Sequence, residues 1–138
     1  MLYLDNAATT PLLPEVRKVM INYMVDNFGN PSSIYKIGRM NKIAVEEARK
    51  SIAKTIGACP DDIFFTSGGT ESDNWVLESA AESATESDSA HIIVSAIEHP
   101  AVINKCIQLK KRGCDVDYIK TDKNGIINTD DLISKIRD

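Results

Sequence analysis

The first half of the chain carries two stretches in which apolar residues recur at the three- and four-residue spacing of a helix. The first begins at about Pro14, and Gly29 lies where the C-terminal glycine of this helix is expected. The second runs from about residue 40 to residue 56, and Gly57 follows it, which predicts an amphipathic helix that covers a core. The apolar positions are Val16, Val19, Met20, Tyr23 and Met24 in the first stretch and Val45, Ala48, Ile52 and Ile56 in the second.

Three shorter apolar runs indicate β-strands. Residues 63–66 and 91–97 are nearly continuous apolar runs, a pattern typical of strands that are buried on both faces of a sheet. Residues 115–119 instead alternate, with Val116 and Tyr118 on one side. The Asp-Lys-Asn-Gly sequence of residues 122–125 predicts a turn after this third strand.

Each predicted strand is followed by a helix signal. Thr70 opens a helix after the first strand, and the polar residues 78–90 predict the end of that helix and a surface loop. Pro100 lies in the first turn of the next helix, which Gly113 ends, and Thr129 caps a last helix. Alternation of strands and helices predicts an α/β fold with a mainly parallel sheet and covering helices.

Composition and charge narrow the classes of function. The 138 residues are 43% hydrophobic and 26% charged, as expected of a globular chain that buries one core. The formal net charge of −4 argues against nucleic acid and anionic membrane surfaces as partners. The sequence has neither a transmembrane run nor a basic signal-peptide start, which predicts a cytoplasmic protein.

The cysteines and histidines do not form a metal-binding pattern. Cys59, Cys106 and Cys114 are an odd set without a CxxC pair, and we expect no structural disulfide in a reducing compartment. The two histidines, His91 and His99, have no cysteine nearby at ligand spacing, so no zinc site is expected.

Residues 67–71, Ser-Gly-Gly-Thr-Glu, follow a predicted strand and open a predicted helix. With Thr70 as cap and Asp73 three residues on, backbone N–H groups and the helix dipole would converge on an anion such as a phosphate monoester. The alternative is a plain capped turn between strand and helix, because the sequence fits neither GxxxxGK[ST] nor GxGxxG.

His99 follows the second apolar strand, between Glu98 and Pro100, and would project from the same edge of the sheet as the glycine turn. A histidine in this position can be functional, although isolated histidines are more often structural. His91, at the start of the strand after a polar loop, is expected to be solvated.

Four ordered motifs resemble the N-terminal motifs of cysteine desulfurases of the NifS/IscS type, which are class V aminotransferases. They are Tyr-Leu-Asp-Asn-Ala-Ala-Thr-Thr-Pro at residues 3–11, Gly-Asn-Pro-Ser-Ser at 29–33, Phe-Thr-Ser-Gly-Gly-Thr-Glu-Ser-Asp-Asn at 65–74, and Glu-His-Pro-Ala-Val at 98–102. One departure is local: the family often has a histidine shortly after the Asn-Pro-Ser-Ser stretch, where this chain has Ile34 and Tyr35.

The resemblance implies a fold and a cofactor site. The fold is the N-terminal part of the large domain of fold type I transferases that use pyridoxal 5′-phosphate (PLP). Residues 1–13 would form an N-terminal extended segment, and residues 14–138 an incomplete PLP-binding large domain. In the family, the residues that match Gly69 and Thr70 bind the PLP phosphate. The residue that matches His99 stacks on the pyridine ring and assists proton transfer, so His99 is both a cofactor-binding and a catalytic candidate.

The resemblance also implies a reaction and partners. Such enzymes take sulfur from L-cysteine, leave L-alanine and pass a persulfide to iron–sulfur cluster assembly or thiolation pathways. They are homodimers that deliver sulfur to scaffold or acceptor proteins. Two alternatives remain from the sequence: a non-catalytic α/β module that binds a phosphate ligand or a protein, and another class V aminotransferase such as a selenocysteine lyase.

Parts of the family's site have no match in these residues. None of the eleven lysines lies in the Ser-x-His-Lys context of the cofactor-binding lysine, so we expect this chain alone to be inactive. The aspartate that pairs with the pyridine nitrogen and the mobile-loop cysteine would likewise lie downstream. Cys59 and Cys106 are interpreted as buried or incidental thiols and Cys114 as a surface thiol. Uncovered apolar positions such as Val45, Ile52 and Ile56, with an unpaired sheet edge, predict oligomers or insolubility.

Overall fold

The computed structural model of the protein describes residues 2–83 and 90–137, which form two compact units, Met1–Phe64 and Phe65–Asp138. The first unit contains two helices and a 3₁₀ turn, and the second contains three helices and two strands within the described residues. In chain order the elements are α1 (Pro14–Val25), α2 (Lys36–Ile56), the 3₁₀ turn Pro60–Asp62, α3 (Gly69–Glu82), β1 (His91–Ser95), α4 (Pro100–Lys111), β2 (Asp115–Ile119) and α5 (Thr129–Lys135).

The first unit is ordered mainly by polar contacts. The side-chain amide of Asn41, in α2, is buried and donates to the backbone carbonyls of Asn27, at 2.6 Å, and Gly29. Gly38 packs so closely on the loop before α2 that an added Cβ would lie 2.5 Å from the carbonyl oxygen of Asn30. These contacts fix the loop at residues 27–33 against the first turns of α2.

The second unit has a small apolar core around a parallel strand pair. β1 and β2 pair in register, with Ile92 opposite Val116 and Val94 opposite Tyr118. α3 packs on α4, and α4 and α5 pack on β2. The buried apolar residues of this unit are Val94, Cys106, Leu109, Val116 and Ile119. The predicted α/β class with a parallel sheet and covering helices is therefore confirmed.

Two of the predicted strands form, and the first does not. Residues 63–66 make no strand pairing, and Phe64 and Phe65 are 65% and 51% exposed instead of buried on both faces. A strand needs a neighbour for its backbone hydrogen bonds, and within the described residues β1 and β2 pair only with each other. β1 also ends at Ser95, two residues earlier than expected.

In the first unit, the observed helix boundaries differ from those that the sequence predicts. α1 ends at Val25, so Gly29 is not its C-terminal glycine. Gly29 instead lies against α2, where an added Cβ would be 2.7 Å from Ile37. α2 begins at Lys36 and not near residue 40, because Gly38 in its first turn packs closely on the preceding loop. Gly57 ends α2 as predicted, in the left-handed conformation with φ of 70°.

The second unit confirms the other helices and the turn, with different caps. Pro100 begins α4, and Gly113, with φ of 101°, follows its end. Asn128, and not Thr129, caps α5, because its side-chain oxygen accepts from the backbone N–H groups of Asp130 and Asp131. The expected turn forms at residues 122–125. α3 continues to Glu82, and the remainder of the loop predicted up to residue 90 lies largely outside the described residues.

Candidate functional site

The glycine turn is the first turn of α3. Gly68 is the N-cap residue, and its carbonyl accepts the first helical hydrogen bond from the backbone N–H of Ser72 at 3.2 Å. Thr70 is therefore the second residue of the helix and not its cap, which corrects the sequence interpretation. As a result, the N–H groups of Gly69 and Thr70 both belong to the first helical turn, where no carbonyl of the helix can accept from them.

An acidic side chain folds back over the start of this helix. The carboxylate of Glu71 accepts from the backbone N–H of Ser67 at 2.6 Å and from the Ser67 hydroxyl at 2.7 Å. These two hydrogen bonds, the backbone one first, lower the pKa of Glu71. The expected capping partner was Asp73, and Glu71 takes that role. The negative charge is thereby held at Ser67.

The space beside Gly68 and Gly69 is open. A Cβ added at either position would meet no atom within 4 Å, so no neighbouring side chain fills the place that the glycines leave. The hydroxyls of Thr66, before the turn, and Ser72, after it, lie 2.7 Å apart and form a hydrogen bond with each other. Among the described residues, the Thr70 hydroxyl has no hydrogen-bond partner. Open space, free N–H donors and a free hydroxyl together fit a phosphate group.

His99 is the N-cap of α4. Its Nδ1 accepts from the backbone N–H of Ala101 at 3.1 Å, and the residue is exposed. Because Nδ1 accepts, the neutral ring carries its proton on Nε2. This capping role was not predicted, although Pro100 at the first helical position marks the preceding residue as the cap. The ring is thus oriented by its own helix.

The second unit contains all three predicted site residues. Gly69 and Thr70 lie in the first turn of α3, and His99 precedes α4. The two helices pack against each other, so the glycine turn and the imidazole lie at the starts of two neighbouring helices.

His91 and the cysteines differ partly from expectation. His91 is not simply solvated: its side chain is 17% exposed, and its Nε2 lies 3.0 Å from a carboxylate oxygen of Asp117. Cys106 is fully buried on α4, and burial raises the pKa of its thiol. Cys59 is exposed, whereas Cys114 is half-buried beside the core and is not a surface thiol as predicted.

In the part of the chain that the structure describes, no cluster of three or more His, Cys, Asp or Glu side chains is placed to hold a metal ion. No helix in those same ranges is long and apolar enough to cross a membrane.

The chain is similar to proteins of one known family. The class V aminotransferase family model matches residues 2–138. The cysteine desulfurase IscS of Methanosarcina thermophila is 49% identical over 136 residues, which are 99% of this chain and 33% of that protein. The chain thus spans about a third of the length of the curated relatives it matches.

Solved structures agree with the sequence comparison. A NifS-like protein matches 97% of this chain and 36% of its own, with a TM-score of 0.90 and 36% identity. SspA in complex with cysteine matches 98% of this chain and 39% of its own, with a TM-score of 0.89 and 36% identity. Because the family model matches nearly the whole chain, the chain belongs to the class V aminotransferase family.

Proposed function

We propose that these residues form the phosphate-facing and ring-facing part of the cofactor site of a PLP-dependent cysteine desulfurase. The class V aminotransferase family is PLP-dependent in general, and the curated relatives carry the name cysteine desulfurase IscS. The similar SspA structure contains cysteine, which supports L-cysteine as the substrate. PLP, when bound, supplies an electron sink for amino-acid chemistry.

The start of α3 is the observation that carries this proposal. The N–H groups of Gly69 and Thr70 and the Thr70 hydroxyl would bind the phosphate, with the helix dipole adding to the attraction. The Glu71 carboxylate is hydrogen-bonded to the N–H and hydroxyl of Ser67, so the N–H groups of Gly69 and Thr70 remain free for the phosphate, and the glycines leave room for it.

His99 has two tasks in the proposal. Its hydrogen bond from Ala101 fixes the plane of the imidazole, which suits stacking against a flat pyridine ring. The same bond keeps the proton of the neutral ring on Nε2, where it is available for transfer. Capping and catalysis therefore use different nitrogen atoms of one ring.

Homodimer formation and delivery of sulfur to an acceptor or scaffold protein are parts of the same proposal and rest on the resemblance. The residues here contain no Ser-x-His-Lys sequence. We therefore propose that this chain binds PLP without sustained turnover of L-cysteine.

Cofactor binding can be measured in the 138-residue chain through its one tryptophan, Trp75, which lies in the second turn of α3. We expect PLP to quench this fluorescence, inorganic phosphate to compete, and pyridoxal without phosphate to bind much more weakly. Thr70→Val should weaken PLP binding by about tenfold, because it removes a hydrogen bond to a charged group. Thr55→Val, on the exposed face of α2, is the matched control, and an equal loss in both variants would contradict the site.

A second pair of variants tests His99. His99→Asn retains a good N-cap residue and removes the aromatic ring, whereas His99→Ala removes both. We expect both variants to lose PLP affinity and only His99→Ala to lose helix stability as well. Unchanged PLP binding by His99→Asn would exclude the stacking role.

Turnover is tested by adding PLP and L-cysteine to the purified chain and following sulfide release. We expect none that is sustained. Continuous release by this chain alone would contradict the proposed absence of sustained turnover. Binding of phosphate without any binding of PLP would favour the non-catalytic phosphate-binding module.

A further inference from the structure

Three charged side chains connect α3 to α4 on one side of the second unit. Glu78, in the third turn of α3, pairs through Oε2 with the ammonium of Lys105 and through Oε1 with the guanidinium of Arg112. The Lys105 side chain is only 13% exposed and that of Glu78 25%, whereas Arg112 is more open at 55%. Each carboxylate oxygen therefore has its own cation, and one of the two pairs is well shielded from solvent.

The spacing of the two cations makes the pairing sensitive to sliding. Lys105 lies in α4, and Arg112, seven residues later, caps the C-terminus of that helix, about 10.5 Å further along its axis. Glu78 spans them with both oxygens, so a shift of α3 along α4 by one turn breaks at least one pair. The two hydrogen bonds also lower the pKa of Glu78, so its carboxylate stays charged at neutral pH.

The apolar contact beside Glu78 supplies a different restraint. Leu77 packs against the core cluster of Val94, Cys106 and Val116. Apolar packing holds the two helices together, but the hydrophobic effect is non-directional and does not by itself specify one of several axial positions. The charged contacts are directional and select one axial position among them.

We infer that Glu78 is a positioning residue that fixes the axial register of α3 on α4 and thereby the spacing between the Gly69–Thr70 turn and His99. The link to cofactor binding rests on the proposed function, since the two features at these helix starts are its phosphate-binding and ring-stacking groups. Glu78 itself contacts neither; it acts through Lys105 and Arg112. PLP has a fixed distance between its phosphate and its ring, so a loose register lowers its affinity.

The register is tested without any cofactor by double electron–electron resonance between spin labels at Val76→Cys on α3 and Asn104→Cys on α4, both exposed. The exposed Cys59 and the half-buried Cys114 are replaced by serine. We expect a narrow distance distribution in the background protein and a broad or shifted one in Glu78→Gln. Glu82→Gln, in the last turn of α3, is the matched control: its exposed carboxylate acts on Arg112 at a distance and forms no ion pair with it, so the distribution should remain narrow.

Rescue by reversed charges separates positioning from simple loss of stability. The variant Glu78→Lys with Lys105→Glu and Arg112→Glu restores the attraction with opposite signs, and we expect it to narrow the distribution again. If Glu78→Gln does not fold by circular dichroism, Lys105→Gln, which removes one of the two pairs, is measured in its place. A distribution as narrow in Glu78→Gln as in Glu82→Gln would overturn the inference.

PLP titration of the same proteins tests the link to the cofactor. We expect Glu78→Gln to bind PLP at least about threefold more weakly than Glu82→Gln, and the charge-reversed variant to recover. A broadened distance distribution in Glu78→Gln with unchanged PLP affinity would overturn the positioning role. If the unmodified chain does not bind PLP, the proposed function fails, and the distance measurement alone decides whether Glu78 fixes the register.

Discussion

Each of the two units is stabilised by a different kind of internal contact. In Phe65–Asp138, a strand pair and its helices enclose several fully buried apolar side chains, of which Leu109 and Cys106 are completely inaccessible. In Met1–Phe64, Ala53 is the one buried apolar side chain among the described residues, and none of the residues of α1 is buried. The first unit relies on the amide of Asn41 and the close approach of Gly38.

This difference shows that an amphipathic pattern predicts a helix but not what the helix covers. The apolar residues of α1 recur at helical spacing, yet they are 39–69% exposed. The second unit contains strands, so its helices have a surface to pack on. Ile52 and Ile56 on α2 remain 42% and 67% exposed, as the sequence analysis anticipated for uncovered positions, while Val45 is half-buried.

The largest expected effect is in the core of the second unit. Leu109→Ala should destabilise it by about 2–5 kcal/mol, because it leaves a cavity around a fully buried position. Leu12→Ala, at a 57% exposed position of the first unit, should change the free energy of unfolding by no more than about 0.5 kcal/mol. Denaturant titration measures the change in the free energy of unfolding for both variants. Equal changes would contradict the difference in apolar packing between the two units.

Gly38→Ala is expected to have the next largest effect, in the first unit. The new Cβ would lie 2.5 Å from the carbonyl oxygen of Asn30 and 2.6 Å from the Ser33 hydroxyl, so the loop must move, at a cost of about 1–3 kcal/mol. Amide hydrogen exchange at residues 27–33 should accelerate. Ser51→Ala, on the exposed face of α2, is the control that should leave this exchange unchanged.

Asn128→Ala should cost about 1 kcal/mol in the stability of α5, because two backbone N–H groups lose their acceptor. Thr129→Ala should have little effect, although the sequence pattern assigned the cap to Thr129. Circular dichroism and hydrogen exchange of α5 distinguish the two, and a larger loss for Thr129→Ala would contradict the observed cap.

The smallest expected effect concerns pH and the surface pair of His91 and Asp117. The hydrogen bond from His91, with a smaller contribution from Arg137, lowers the pKa of Asp117 below its ordinary value of 3.8. A carboxyl whose pKa is lower in the folded state than in the unfolded state stabilises the fold at pH values above the unfolded-state pKa. That contribution is lost as the pH falls through the folded-state pKa.

Thermal unfolding of the wild-type chain and of Asp117→Asn measures this contribution. The wild type should be slightly more stable at pH 5, and the difference should shrink as the pH falls below 3.8. A difference that grows in acid would have the wrong sign for this pair. Asp130→Asn, at an exposed position of α5, controls for the loss of one negative charge.

Local signals predicted much of the fold. The parallel strands β1 and β2, the start of α4 at Pro100 and the end of α2 at Gly57 follow from short stretches of sequence. Two of the failures depend on a neighbouring segment. Residues 63–66 have the composition of a strand but pair with no other strand among the described residues. Gly29 has the spacing of a helix end but serves close packing against Ile37.

The candidate site was predictable in its residues and not in its contacts. Gly69, Thr70 and His99 were singled out by motif, and their role in cofactor binding remains a prediction. The motif did not indicate that Gly68 caps α3, that Glu71 turns back to Ser67, or that the Nδ1 atom of His99 caps α4. These contacts follow from how the backbone turns at each helix start.

By itself the sequence determined the α/β class, most of the helices, and the family resemblance that the comparisons confirmed, because periodicity, caps and short motifs are local. Only the tertiary structure decided which apolar faces are covered and how Glu78 connects α3 to α4. Those outcomes depend on residues distant in sequence that meet in space, and no local pattern encodes which partner a side chain will meet.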